Sequence, residues 1–203
     1  KGINFNENKD WILFGIFSAL GFLSKYLFIY ILFSFFIFYI FNFKKYQKSL
    51  KGYLLSILIS LILLIPHFIW LFENNFVTIF YGLNRSGLSE FNIFNHFKNP
   101  IEFTLKQIII LVPFFLMIFT LLKKIKFKIN SKDKKIIFLI FINIIPILLM
   151  LATSLLSGAK IRTMWMTPFY LFFGVLFVYI FKAQINFEKT RVFVSIFFIL
   201  FLI

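Results

Sequence analysis

The sequence predicts an all-α fold, a polytopic transmembrane helix bundle of about seven membrane segments that includes one short broken hairpin. Three observations carry that prediction. Of 203 residues, 61% are hydrophobic and only 14% charged, far from the near-half apolar and quarter charged usage of soluble domains. Several apolar runs reach about 18 residues or more, the length that crosses a bilayer. The charges, finally, collect between those runs. A net charge of +15 on a soluble protein would point to nucleic acid. Lysines in short connections between apolar runs point instead to anionic lipid headgroups, and no nucleic-acid partner is expected.

Residues 1–10 are polar. Residues 11–41 are apolar almost throughout, with Lys25 near the middle. One helix through that stretch would measure about 46 Å, too long for one span of about 30 Å and short for two. Two short helices broken at 21–25 are expected, with the ammonium at the turn. A lysine within hydrocarbon costs about 2.5–3.5 kcal/mol on insertion scales, so it faces a cavity or an anion. At a helix end it can instead snorkel to the interface, and both readings stay open at this level.

The remaining elements follow in order. Residues 42–51 form a basic connection. Residues 52–70 read as a full span, loosened by Pro66 and anchored by Trp70. Residues 71–106 form the one long polar connection, rich in Phe and Tyr, and short helices are expected in it. An apolar run beginning near Pro100 continues through Gln107 to Leu122. A second basic stretch covers 123–135. Residues 136–156 span with Pro146 at the centre, 157–167 are a short connection, 168–181 span, and 182–191 return to a basic loop. An apolar run from Val192 to the last residue follows.

The five successive connections carry four, three, seven, two and three Lys plus Arg. The first, third and fifth hold fourteen against five in the other two, and the positive-inside rule makes the cation-rich set cytoplasmic. Residues 71–106 and 157–167 are then outside, together with the hairpin tip. Lys25, Lys160 and Arg162 are expected to face one compartment. Lys160 and Arg162 lie two apart, so in an extended segment both side chains point the same way. Gly158 beside them lets the backbone turn close to a ligand.

Several chemistries are not supported. The chain has no cysteine, hence no disulfide and no thiolate metal site. It shows no phosphate-cradling glycine loop, His-Glu zinc motif or nucleophile elbow. His67 and His96 are too separate to argue a metal site, and no metal or other cofactor is expected. The 35 phenylalanines, with abundant Ile, Lys and Asn, fit an AT-rich coding bias, so single phenylalanines carry little functional weight. Without an initial methionine, and with an apolar run still in progress at Ile203, the chain reads as an internal piece of a larger protein, 1–203 forming a single transmembrane domain.

Four motifs point further. The segment from Gly15 through Gly21-Phe22-Leu23-Ser24-Lys25-Tyr26 resembles the glycine-to-Ser/Thr-Lys segment of polytopic glycosyltransferases of family 39. These include protein O-mannosyltransferases and aminoarabinose transferases. Pro66 to Trp70 resembles the "Pro-x-x-x-Trp" exit of that family's next span. His96 to Gln107, then Pro113, resembles its outer loop entering a "Gln…Pro" helix. Ser157-Gly158-Ala159-Lys160-Ile161-Arg162-Thr163-Met164-Trp165, then Pro168 and Tyr170, resembles its last outer loop and helix start. Many relatives carry a histidine just before that Trp, where this chain has Arg162 and Thr163 nearby.

The resemblance implies a GT-C type membrane enzyme of a bacterial inner (plasma) membrane. Such an enzyme moves a sugar from a polyprenyl-phosphate carrier to an acceptor hydroxyl or amine on the outer face. The donor-phosphate ligands would be Lys25, Lys160 and Arg162. The family's acidic catalytic residues lie in an earlier outer loop, so no catalytic base is assigned. Two other readings compete: a transporter or lipid flippase using the broken helix as a binding site, and a non-catalytic membrane subunit whose cations only snorkel.

Overall fold

A computed structural model describes residues 6–87, 92–125 and 133–202. The basic stretch 123–135 and the connection 71–106 thus fall partly outside the described residues, at 126–132 and 88–91. The chain divides into two compact units, Lys1–Glu90 and Phe91–Ile203.

In the first unit, α1 (Asn8–Ser24) begins after extended Glu7 and carries Asp10 in its first turn, where a negative charge complements the helix dipole. It ends where the chain turns polar, at Ser24 and Lys25. Lys25 is fully extended (φ −161°, ψ 116°), a short 3-10 turn follows at Tyr26–Phe28, and α2 runs Ile29–Phe41. The rings of Phe14 and Phe35, nearly equidistant in sequence from Lys25, lie 4.7 Å apart. Only a chain that doubles back at Lys25 brings them together, so the expected hairpin is formed.

A four-residue helix α3 (Phe43–Tyr46) leads to α4 (Leu50–Glu73), which keeps Pro66 inside it. Trp11, Phe38 and Tyr39, each only 2% exposed, make the core of this unit with Tyr53, whose ring stacks on Tyr39 at 4.7 Å. After α4 the chain passes through Asn75 and Phe76 with φ 50° and 54°. Left-handed backbone at a side chain costs roughly 1–2 kcal/mol per residue. It turns the chain sharply into α5 (Val77–Arg85), a short helix within the connection.

In the second unit, α6 (Asn95–Leu121) contains Pro100 and Pro113, and α7 (Lys134–Ser157) contains Pro146. They run antiparallel: His96 Nδ1 lies 2.8 Å from the carbonyl of Leu155, whereas their other ends meet the 182–189 connection. There Leu122 bridges Ile185, and the Lys123 N–H donates to Gln184 O at 3.0 Å. A 3-10 segment Thr163–Tyr170 and α8 (Phe173–Phe181) pack on α7, and α9 (Thr190–Phe201) packs on α6.

The architecture is an all-helical polytopic bundle, but the count of about seven membrane segments needs correction. Among the described residues three helical stretches are long and apolar enough to cross: Phe43–Glu73, Asn95–Leu121 and Lys134–Ser157. A fourth is reached if Thr163–Tyr170 and Phe173–Phe181, bent by 49°, count as one span. Length is the reason. The 17 residues of α1 and 13 of α2 reach only about 26 and 20 Å at 1.5 Å per residue.

Candidate functional site

In the first unit the cation-rich connection and the hairpin tip lie at opposite ends. Near one end Asn6 Nδ2 donates to Lys48 O at 3.1 Å. At the other, the tip is fastened by one hydroxyl. Tyr26 Oη lies 2.9 Å from His67 Nε2 and 2.8 Å from Thr78 Oγ1, joining the turn to α4 and α5. His67 stacks on Trp70, one turn along α4, with ring centroids 6.0 Å apart. Lys25, half-buried, thus stands on a tip fixed from two sides. Fixed geometry is what an electrostatic site requires, since charge that need not reorganise stabilises developing charge best.

Between α1, α2 and α4 lies an apolar cavity of about 300 Å³, lined by Phe14, Phe22, Phe35 and Phe68 with Ser18 and Ser60. Its walls can hold hydrocarbon and offer little to a polar ligand.

The second unit builds its cation segment from backbone. Gly158 ends α7 in the left-handed region (φ 69°), and its N–H donates to Ser154 O at 2.8 Å. Asn99 Nδ2 donates to Gly158 O at 2.6 Å, and Ser154 Oγ donates to Ala159 O at 2.7 Å. The segment that follows alternates: Ala159 and Ile161 are buried, Lys160 and Arg162 exposed. The two cations therefore share one face, as an extended backbone dictates. Lys25 belongs to the other unit.

Glu102 of α6 is what the sequence reading missed. Its Oε1 pairs with Lys106 Nζ and lies 3.9 Å from Lys160 Nζ, so Lys160 has an acid beside it. The Glu102–Lys106 spacing of four on a helix was a legible signal; the Lys160 contact, across 58 positions, was not. Gln107 accepts a hydrogen bond from Tyr170 Oη, while its Nε2 is buried without a partner among the described residues. His67 and His96 each hold a neighbouring element, and no cluster of metal-ligating side chains occurs among the described residues.

Residues 1–70 match the family model of the dolichyl-phosphate-mannose-protein mannosyltransferases. The matched stretch takes in α1, the break at Lys25, α2 and α4 as far as Trp70. No curated protein and no solved structure matches the chain. The match makes the first 70 of 203 residues similar to a membrane glycosyltransferase family and, with the long apolar helices, supports an integral multi-pass membrane protein. It covers the hairpin and stops short of Lys160 and Arg162.

Proposed function

We propose that this protein transfers a sugar from a polyprenyl-phosphate carrier to an acceptor on the extracytoplasmic face of the membrane. The observation that carries the reading is a lysine on a fixed, broken hairpin inside the stretch that matches the mannosyltransferase family. The alternation of cation-rich and cation-poor connections supports the face. As the glycosidic bond breaks, negative charge grows on the leaving lipid phosphate. A cation held in a site of low dielectric favours that transition state over the ground state. Lys25 serves as a point charge, and Arg162 can grip two phosphate oxygens at once. Lys160, partly neutralised by Glu102, has the smaller share. The apolar cavity beside the hairpin suits the carrier's hydrocarbon.

The test uses the full-length gene product in proteoliposomes with a polyprenyl-phosphate sugar. Lys25→Ala and Arg162→Ala should each lower transfer at least about 100-fold, equivalent to roughly 2.7 kcal/mol, while the protein still inserts and accumulates. Arg162→Lys should restore little. Full activity in both alanine variants removes these residues from the mechanism. Movement of the lipid-linked sugar across the bilayer with no transfer would make the protein a transporter instead.

A further inference from the structure

Helix α5 is inside out for a helix on a water-facing surface. At 100° per residue, Ile79, Leu83, Phe80, Val77 and Tyr81 spread over an arc of about 200°, interrupted by Asn84 between Phe80 and Val77, with Thr78, Gly82 and Arg85 on the remainder. A soluble amphipathic helix turns its apolar arc to the core. Here the side that meets the rest of the unit is the polar one, since Thr78 Oγ1 is 2.8 Å from Tyr26 Oη. No residue of α5 is buried, and Val77, Phe80 and Leu83 are 53%, 56% and 43% exposed.

What covers that face follows from where the helix sits. Helix α5 begins four residues after Glu73, the end of a 31-residue helical stretch long and apolar enough to cross a membrane. Ile65, Ile69 and Phe72 of α4 are 49%, 54% and 69% exposed, side chains that meet lipid in a membrane-spanning helix. The left-handed pair Asn75 and Phe76, closed by the Phe76 N–H donating to Leu71 O at 2.9 Å, takes the chain off the α4 axis at that point. The exposed apolar surface then resumes on α5. Its polar tips behave as they do at headgroup level: Arg85 Nη1 donates to Tyr81 Oη at 2.9 Å, and the guanidinium lies 5.5 Å above the Tyr81 ring. Amphipathic side chains reach in this way from apolar surface toward water.

We infer that α5 lies in the plane of the membrane, its Ile79–Phe80–Leu83 face seated in the boundary between headgroups and acyl chains. Such helices sink by about 5–10 Å. Seated there and tied to Tyr26, α5 fixes the height of the hairpin tip against the bilayer. This conclusion is independent of the reaction proposed above.

These 203 residues hold no cysteine, so the labelling sites are introduced into a background in which any cysteine elsewhere in the full-length protein is replaced by serine. Phe80→Cys, Leu83→Cys and Gly82→Cys, each labelled with a small environment-sensitive fluorophore in the full-length protein, are placed in phosphatidylglycerol–phosphatidylcholine liposomes. Lipids brominated high on the acyl chain should quench labels at 80 and 83 at least about threefold more than at 82. Aqueous iodide should show the reverse order. Iodide reaching 80 and 83 as readily as 82 would place the face in water and overturn the inference. Labels at 80 and 83 shielded from both quenchers would place it under protein, and overturn it equally. Should Phe80→Cys accumulate poorly, Val77→Cys reads the same face.

Discussion

The α1–α4 seam of the first unit and the contact of α6 with α8 in the second are closed by opposite means. In the first, α1 and α4 approach until backbone meets side chain. A Cβ built on Gly15 would lie 2.6 Å from the carbonyl oxygen of Ser56, and one on Gly52 would lie 2.2 Å from Trp11 Cδ1. Ser60 Oγ donates across the seam to Gly15 O at 2.8 Å. Small residues with hydroxyl hydrogen bonds are how helices associate in lipid, where apolar burial gives little drive. In the second unit rings fill the space. Phe114 and Phe115 lie 5.5 and 5.3 Å from Phe177 in edge-to-face pairs, and Phe173 adds a third contact. The lesson concerns composition. A chain under pressure toward phenylalanine can spend it wherever a gap is wide enough, and it keeps glycine and serine where no gap exists.

The contrast predicts unequal tolerance, and the largest effect belongs to the first seam. Gly15→Leu cannot be absorbed by a side-chain rotation, since the obstacle is the α4 backbone. It should cost at least the roughly 1–3 kcal/mol of an overpacked core and lower the melting temperature in detergent more than any other change considered. Phe177→Leu, which removes volume from a ring cluster that can relax, should cost about 1 kcal/mol. Equal melting shifts for the two would erase the distinction between the seams.

The cation segments differ in the same spirit and give the next effect. Lys25 is presented by side chains from three elements meeting at one phenol, Lys160 and Arg162 by carbonyls that Asn99 and Ser154 hold. Gly158→Ala therefore strikes at backbone. Its φ alone should cost about 1–2 kcal/mol, and the new methyl would stand 3.2 Å from the His96 ring. Tyr26→Phe removes a half-buried hydroxyl and should cost about 0.5–1.5 kcal/mol. Thermal melts of the two variants order them. A greater loss in Tyr26→Phe would mean that the hairpin tip, and not the glycine turn, is the more demanding structure.

Those details mark where the sequence was readable. The break at Lys25 was legible because a glycine, a serine and a lysine interrupt an otherwise continuous apolar run. The antiparallel hairpin then followed from bilayer thickness alone. The shared face of Lys160 and Arg162 was legible from spacing by two. The number of spans was not, because apolar composition does not say where a helix ends: α1 and α2 are helical for 17 and 13 residues, and 163–181 bends by 49°. The apolar run expected near Pro100 belongs to a helix that starts five residues earlier, at Asn95. Contacts between distant positions, such as Tyr26 with Thr78 or Lys160 with Glu102, leave no periodic trace. The tight seam at Gly15 and Gly52 was equally silent, a lone glycine being a turn as readily as a contact.

The smallest predicted effect asks whether the second unit's polar fastenings act through charge. Asp133 caps α7, accepting the Lys135 N–H at 2.9 Å and the Tyr179 hydroxyl at 2.7 Å. The Tyr179 hydrogen bond, aided by the backbone N–H groups of Lys135 and Ile136 and by the nearby Lys182 charge, holds its carboxyl below the ordinary aspartate value. A depressed carboxylate stabilises the fold above its unfolded pKa and loses that contribution as pH falls through the folded one. The window thus opens below the ordinary value of 3.8. Asp133→Asn removes the charge and keeps the acceptor oxygen for the Lys135 N–H, while its NH2 takes the place of the oxygen that Tyr179 Oη meets and can donate to that hydroxyl instead. Its melting temperature should fall slightly below that of the unaltered protein at pH 7, and the gap should close as the pH falls below the ordinary aspartate value of 3.8. A gap that stays constant over that range would assign the contribution to geometry, and the second unit would then resemble the first in relying on close fit.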